Sequence, residues 1–204
     1  MSKMNKRIIG SCVIILLVAS AVLGGYFMLK RQAQLKVQED ALPDTEVGRL
    51  LAKDLNSKYP ATPTEVVKLY WRINKCIYNE GMNDKEFDQL LEQLRTLYDE
   101  EFLSTEGNSF EQMSAGLKTD KEQRQKNKET LSSYVVQKNN DITEAEIDGK
   151  LCATVATSVL VKPKKGKSTK TYEQFMLRKN EQNNWKILGW KQIDANAAAD
   201  IGIE

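Results

Sequence analysis

The chain has 204 residues, enough for one domain with a real core plus appendages, and its 30 basic and 28 acidic residues give a formal net charge of +2. Five of the basic residues (Lys3, Lys6, Arg7, Lys30 and Arg31) fall within residues 1–31, which hold no acid, so the remainder carries 25 basic against 28 acidic residues. That balance argues against a nucleic-acid footprint, and the absence of histidine removes the commonest general base and the commonest metal ligand together.

Residues 8–29, IIGSCVIILLVASAVLGGYFML, are 22 residues without a charge. A helix of that length at ~1.5 Å per residue spans roughly 33 Å, which matches a hydrocarbon core of roughly 30 Å. The triplet ASA at 19–21 fits a signal-peptide cleavage pattern. The apolar run continues past it to Lys30, however, and this favours an uncleaved anchor. Cys12 precedes most of the apolar run instead of following it, which excludes a lipoprotein box. The basic residues ahead of the span make 1–7 a cytoplasmic tail. They place a single-pass protein in the cell membrane with its C-terminal domain extracytoplasmic. Ser20 with Gly24 and Ala21 with Gly25 have the small-xxx-small spacing of helix dimers, so a homo-oligomer joins the membrane among the expected partners.

Residues 30–44 are polar up to Pro43 and read as a stalk. Behind Asp44 as N-cap, Val47, Leu50, Leu51 and Leu55 share one helical face. Thr62, Pro63 and Glu65 then announce a second helix with an N-cap, a proline in the first turn and a capping box. Its Val66, Leu69, Tyr70, Ile73, Cys76 and Ile77 form one face, which Val67, Trp71 and Tyr78 widen, so this helix should be sandwiched between layers. Gly81 ends it. From Asp84, the residues Phe87, Leu90, Leu91, Leu94, Leu97 and Tyr98 form a helical stripe. A fourth helix begins at Ser109 with Phe110, Met113 and Leu117 inward; its apolar-free continuation KTDKEQRQKNKE should project into solvent or fray.

The period then changes to two. Strands are expected at 130–137, 141–147, 151–161, 168–179 and 185–193, with Asp148-Gly149 as a hairpin turn. Residues 194–204 are expected to be disordered. The fold class is therefore α+β: an N-terminal transmembrane helix, then three to four helices packed on a curved antiparallel sheet of four to five strands over residues 45–193. Cys76 and Cys152 should lie on opposite sides of that sheet and stay unbonded. Trp185 and Trp190 have unequal expected roles: Trp185 in the core, Trp190 on the opposite face. The alternative is a bulge at Gly189 that returns both rings to one face.

Three leading helices followed by strands ending TYEQFMLRKNEQNNWKILGW resemble the nuclear transport factor 2-like fold, in which a curved sheet wraps the helices into a cone. The anchor together with LLAKDLNSKYPATPTEVVKLYWRINKCIYNE and QLLEQLRTLYDEEFL is similar to uncharacterised single-pass membrane proteins of Gram-positive bacteria, classed as a domain of unknown function. The cone resemblance implies a fold that hosts enzymes, ligand binders and assembly factors alike.

Catalytic members of the cone superfamily set an Asp or His base against a Tyr or Asp donor. Here the carboxylates sit in stretches such as YDEEF (98–102) and NDKEFD (83–88), and Glu173 stands in a polar stretch. No catalytic, cofactor or metal residue is therefore assigned, and no cofactor is expected. In EAEIDG (144–149) the acids mimic a calcium loop, but the position that needs a bidentate Glu is Val155, so the segment is a hairpin. The lysines of KPKKGK (162–167) read as a solvated hairpin tip. The candidate pocket or partner surface comprises Tyr70, Trp71, Tyr134, Tyr172 and Trp190. The expected function is non-catalytic binding of a partner protein or a small apolar ligand, without nucleic acid. Two alternatives are kept. One is an envelope or secretion-machine assembly factor, because anchor followed by cone also resembles inner-membrane assembly subunits of type IV secretion machines. The other is a cone-pocket isomerase or dehydratase, which a buried carboxylate opposite a tyrosine would favour.

The topology makes a direct prediction. In a variant lacking Cys12, Cys76 and Cys152, the substitution Lys165→Cys should react with a membrane-impermeant thiol reagent on intact protoplasts. Labelling only after lysis would place the domain in the cytoplasm.

Overall fold

The computed structural model describes residues 44–203. Among them no helix is long and apolar enough to cross a membrane; the expected tail, anchor and most of the stalk lie outside the described residues. Among the described residues, six α-helices and an open five-stranded antiparallel sheet make the fold α+β.

Helix α1 covers Glu46–Leu51, capped by Thr45 and not by Asp44, with Val47 and Leu50 buried. It stops short of the expected run to Leu55, because Asp54 offers the backbone a competing turn: its carboxylate accepts from Asn56 N at 3.0 Å and its carbonyl from Lys58 N. Helix α2 is Pro63–Asn79. The Thr62 side chain accepts from Glu65 N at 3.2 Å, whereas Glu65 reaches back to Ala61 N instead of closing the expected box. Helix α3, Asp84–Arg95, carries a complete capping box between Asn83 and Glu86. Leu97 and Tyr98, expected on its stripe, have left the helix but are still buried. A short helix α4 at Glu100–Ser104 was not expected.

Helix α5, Phe110–Lys126, does not fray. Its polar half is held by contacts to its neighbours: Lys118 pairs with Asp84 at 3.1 Å, Lys121 donates to the Glu80 carbonyl, and Arg124 lies over the Tyr78 ring. Long cationic side chains cover apolar surface in this way while their heads stay wet.

The strands are β1 (Glu129–Val136), β2 (Thr143–Ile147), β3 (Lys150–Pro163), β4 (Thr169–Lys179) and β5 (Trp185–Ile193). They run in the order β1-β3-β4-β5, with β2 also paired to β3. Asp148 and Gly149 take positive φ angles of 50° and 71°, the conformation of a two-residue primed turn. On the face toward the helices lie Ala153, Val155 and Val159 of β3 with Phe175 and Leu177 of β4, all within the main core. Cys152 pairs with Arg178 on the other face, and Cys76 lies in the helix core, so both thiols are free and separated by the sheet.

Two expectations are corrected. Residues 194–204 were expected to be disordered, yet Ala195–Asp200 form helix α6, capped by Asp194. Ala198 and Ile203 close over Ala156 on the outer sheet face, with Tyr172, Ile193 and Ile201 packed around them; the sheet's outer apolar patch supplies a partner that a reading of the tail alone does not reveal. Trp190 does not lie on the face opposite Trp185. A bulge between Met176 and Leu177, opposite Gly189 and Ile187, shifts the register, and both rings return to the inner face. The glycine alternative is the observed one.

The two tryptophans still differ in depth: Trp185 is 3% exposed and Trp190 40%. Trp185→Ala should therefore cost ~3–5 kcal/mol of stability. Trp190→Ala should cost clearly less, roughly half as much, since its ring already meets water. Urea melts of the two variants measure the difference.

Candidate functional site

The inner face of the sheet and the broad face of α2 enclose a continuous run of aromatic rings. From α2, Tyr70 and Trp71 meet edge to face at 5.1 Å. Phe175 of β4 packs on Tyr70 at 5.0 Å and on Trp71 at 6.2 Å. Tyr134 of β1 stacks on Trp71 at 6.4 Å. At the other end Trp190 stacks on Phe175 at 5.9 Å and on Tyr98 at 6.0 Å, with Phe102 of α4 beyond it at 5.4 Å. Offset and edge-to-face geometries of this kind add ~0.5–1.5 kcal/mol per pair beyond area burial.

The backbone fixes this assembly at the α3–α4 turn. Ile187 N donates to the Leu97 carbonyl at 2.7 Å, and Asp99 N donates to the Ile187 carbonyl at 2.8 Å, so Tyr98 forms an isolated parallel bridge to Ile187 of β5. Arg178 then grips Asp99 through both carboxylate oxygens and Glu101 at 3.0 Å. The carboxylates of 98–102 are therefore not all solvated: Asp99 is buried. Its hydrogen bonds to Arg178 and to the Glu101 amide outweigh the opposing cost of burial and hold its pKa below the usual value. The clamp sets Tyr98 and Phe102 against Trp190.

Into this aromatic face projects Glu173. Along β4 the inward positions are Thr171, Glu173, Phe175 and Leu177, because Glu173 pairs with Thr157 and Gln192 in the row next to Val155, Phe175 and Trp190. Its Oε2 is buried without a hydrogen-bond partner among the described residues, and so is Nε1 of Trp71, a side chain only 6% exposed. Burial pushes the Glu173 carboxyl up to about 7. Burial also raises the Tyr70 hydroxyl well above its ordinary value, with Tyr98 and Glu173 adding to the shift. An unmet acceptor and an unmet donor, each flanking Phe175 in an apolar wall, can orient a ligand.

Four of the five expected residues, Tyr70, Trp71, Tyr134 and Trp190, belong to this network. Tyr172 does not: it alternates to the outer face and packs with α6. Glu173 is hidden from a local reading of the sequence by its polar neighbours. Counting back by two from the apolar Leu177 and Phe175 would have placed it inside.

The raised carboxyl has a consequence for stability. The folded chain keeps the Glu173 proton between about pH 4.5 and about 7, a window in which the unfolded chain has released it. Stability from this group is therefore highest below that window, falls as pH rises through it, and stays low above. Comparing urea midpoints at pH 5 and pH 8, Glu173→Gln should remove that part of the decline and be the more stable protein at pH 8.

A family model described as Domain of unknown function (DUF6715) matches residues 1–190. No curated protein matches the chain.

Proposed function

We propose that this chain, which belongs to the DUF6715 family, is a membrane-anchored, extracytoplasmic domain that binds a small, mostly apolar ligand in a nuclear transport factor 2-like cone. The anchor and the single-pass placement rest on the uncharged run at 8–29, and the Gram-positive cell membrane on the resemblance of the anchor and helices to single-pass proteins of such bacteria. The cone reading is supported by helices packed on one face of an antiparallel sheet and by strand bulges in β1 and β4–β5, since bulges bend and twist strands.

One observation carries the binding reading: Glu173 Oε2 and Trp71 Nε1 are buried and unpartnered in an otherwise aromatic wall. Leaving such groups unmet costs ~1–3 kcal/mol each. A ligand with an apolar, flat body, one hydroxyl or amine donor and one acceptor would satisfy both. The second reading, an isomerase or dehydratase, is favoured by the same carboxyl: a group near pH 7 beside a buried tyrosine has the character of a general base. Glu173 would then take a proton from carbon in the bound ligand.

The test uses 2-naphthol, an apolar bicycle with one hydroxyl, and the full chain. Saturable binding by the wild type, weakened at least tenfold in both Glu173→Leu and Trp190→Ala, is the expected result. Unchanged binding in the two variants would remove the interior as the site, and slow exchange of carbon-bound hydrogen in a bound ketone would move the assignment to the enzyme.

A further inference from the structure

On the other side of α2 lies a cleft of about 400 Å³ between the α1–α2 connection, α2 and β1. We infer that it is a binding site for a free alkyl carboxylate, a fatty-acid-like molecule of medium chain length. Its floor is apolar, made by Leu55, Pro60, Leu69 and Val136, of which Leu69 and Val136 are buried. Around the floor stand Lys53 and Lys58 from the connection and Lys68 from α2. All three lysines are exposed, and none forms a salt bridge among the described residues.

Of the other charged groups of the cleft, only Arg72 is paired with an opposite charge, and Glu65 keeps its negative charge against the three lysines. Arg72 is held by Glu46 through two hydrogen bonds. Glu65, the one carboxylate in the lining, accepts from Ala61 N at 2.9 Å. Tyr134 closes one end, its hydroxyl donating to the Lys68 carbonyl at 3.5 Å. With three unpaired lysines against the one unpaired carboxylate of Glu65, the net charge of the cleft is positive and stands around an apolar floor.

That pattern selects an anionic head on an apolar tail. The volume lies within the roughly 300–1,000 Å³ of small-molecule sites, and the cations come from two chain segments that border one concavity. A flat basic face, as a membrane surface or an acidic protein would require, is a different arrangement. This site shares Tyr134 with the end of the aromatic network, but its cations stand on the exposed stripe of α2 and the connection before it, and none of Glu173, Trp71 and Trp190 lines it.

Calorimetric titration of the full chain with decanoate decides the matter. Wild type should bind decanoate saturably, and Lys53→Glu/Lys68→Glu, which alters only exposed side chains, should bind it at least tenfold more weakly. The two proteins share every other apolar surface, so nonspecific uptake cancels between them. Decanol and acetate should each bind at least tenfold more weakly than decanoate, and Trp190→Ala should retain full decanoate binding even if the interior reading fails. Equal decanoate binding by wild type and the double variant would overturn the inference. So would retention on phosphatidylglycerol vesicles, or binding of a polyglutamate peptide, lost in the double variant while decanoate fails to bind.

Discussion

A helix that is apolar around most of its circumference has no stable place at a surface, and α2 is such a helix. Val66, Val67, Tyr70, Trp71, Ile73 and Ile77 are all buried, and together they span far more than the single stripe of an ordinary amphipathic helix. Fully burying side chains of this size is worth ~1.5–3 kcal/mol each, so enclosing α2 dominates the packing of the domain. The sheet covers it on one side, α1, α3 and α5 on others. What remains polar is the narrow line of Glu65, Lys68, Arg72, Lys75 and Asn79, and most of that line is occupied. Lys75 donates to the Ser132 carbonyl, and Asn79 both donates to the Leu131 carbonyl and accepts from its N–H. Thr64, the second residue of α2, donates to the Gln137 carbonyl. The exposed edge of β1 is thus capped by helix side chains instead of by another strand, one of the ways in which proteins blunt sheet edges.

Enclosure on this scale forces polar groups inward where the strand period demands it. Glu173 is inward because Phe175 and Leu177 are inward, and Trp71 is inward because it lies between Tyr70 and Ile73 on the broad face. Both leave an atom without a partner, a departure from the near-complete satisfaction expected of interiors. In a chain whose caps and turns are otherwise well made, such local inconsistency is where function is to be sought.

The helices were legible because their signals are local. The Thr62-Pro63 start and the Phe87 to Leu94 stripe act within one or two turns, and the Asp148-Gly149 turn acts within four residues. What was not legible depends on contacts distant in sequence. Helix α6 exists against Ala156, some forty residues earlier in the chain by its place on β3. The position of Trp190 hangs on one extra residue in β5, which inverts every face beyond it. The site was half legible for the same reason. Tyr70 and Trp71 follow from the helix period, whereas Glu173 requires the strand alternation to outweigh the polarity of its neighbours.

The β2 hairpin stands apart from all of this. Every residue of β2 is exposed, so the strand is held by its hydrogen bonds to residues 150–154 of β3 and contributes no side chain to the core. Its backbone amides should be among the first in the sheet to exchange with solvent, in a local opening that leaves the packed layers intact. The same independence makes the turn at Asp148-Gly149 tolerant of insertion or of a grafted loop, whereas Ile142, just before β2, is packed on the main core. When β2 lifts away, the N-terminal half of β3 becomes an open edge that an extended peptide could complete.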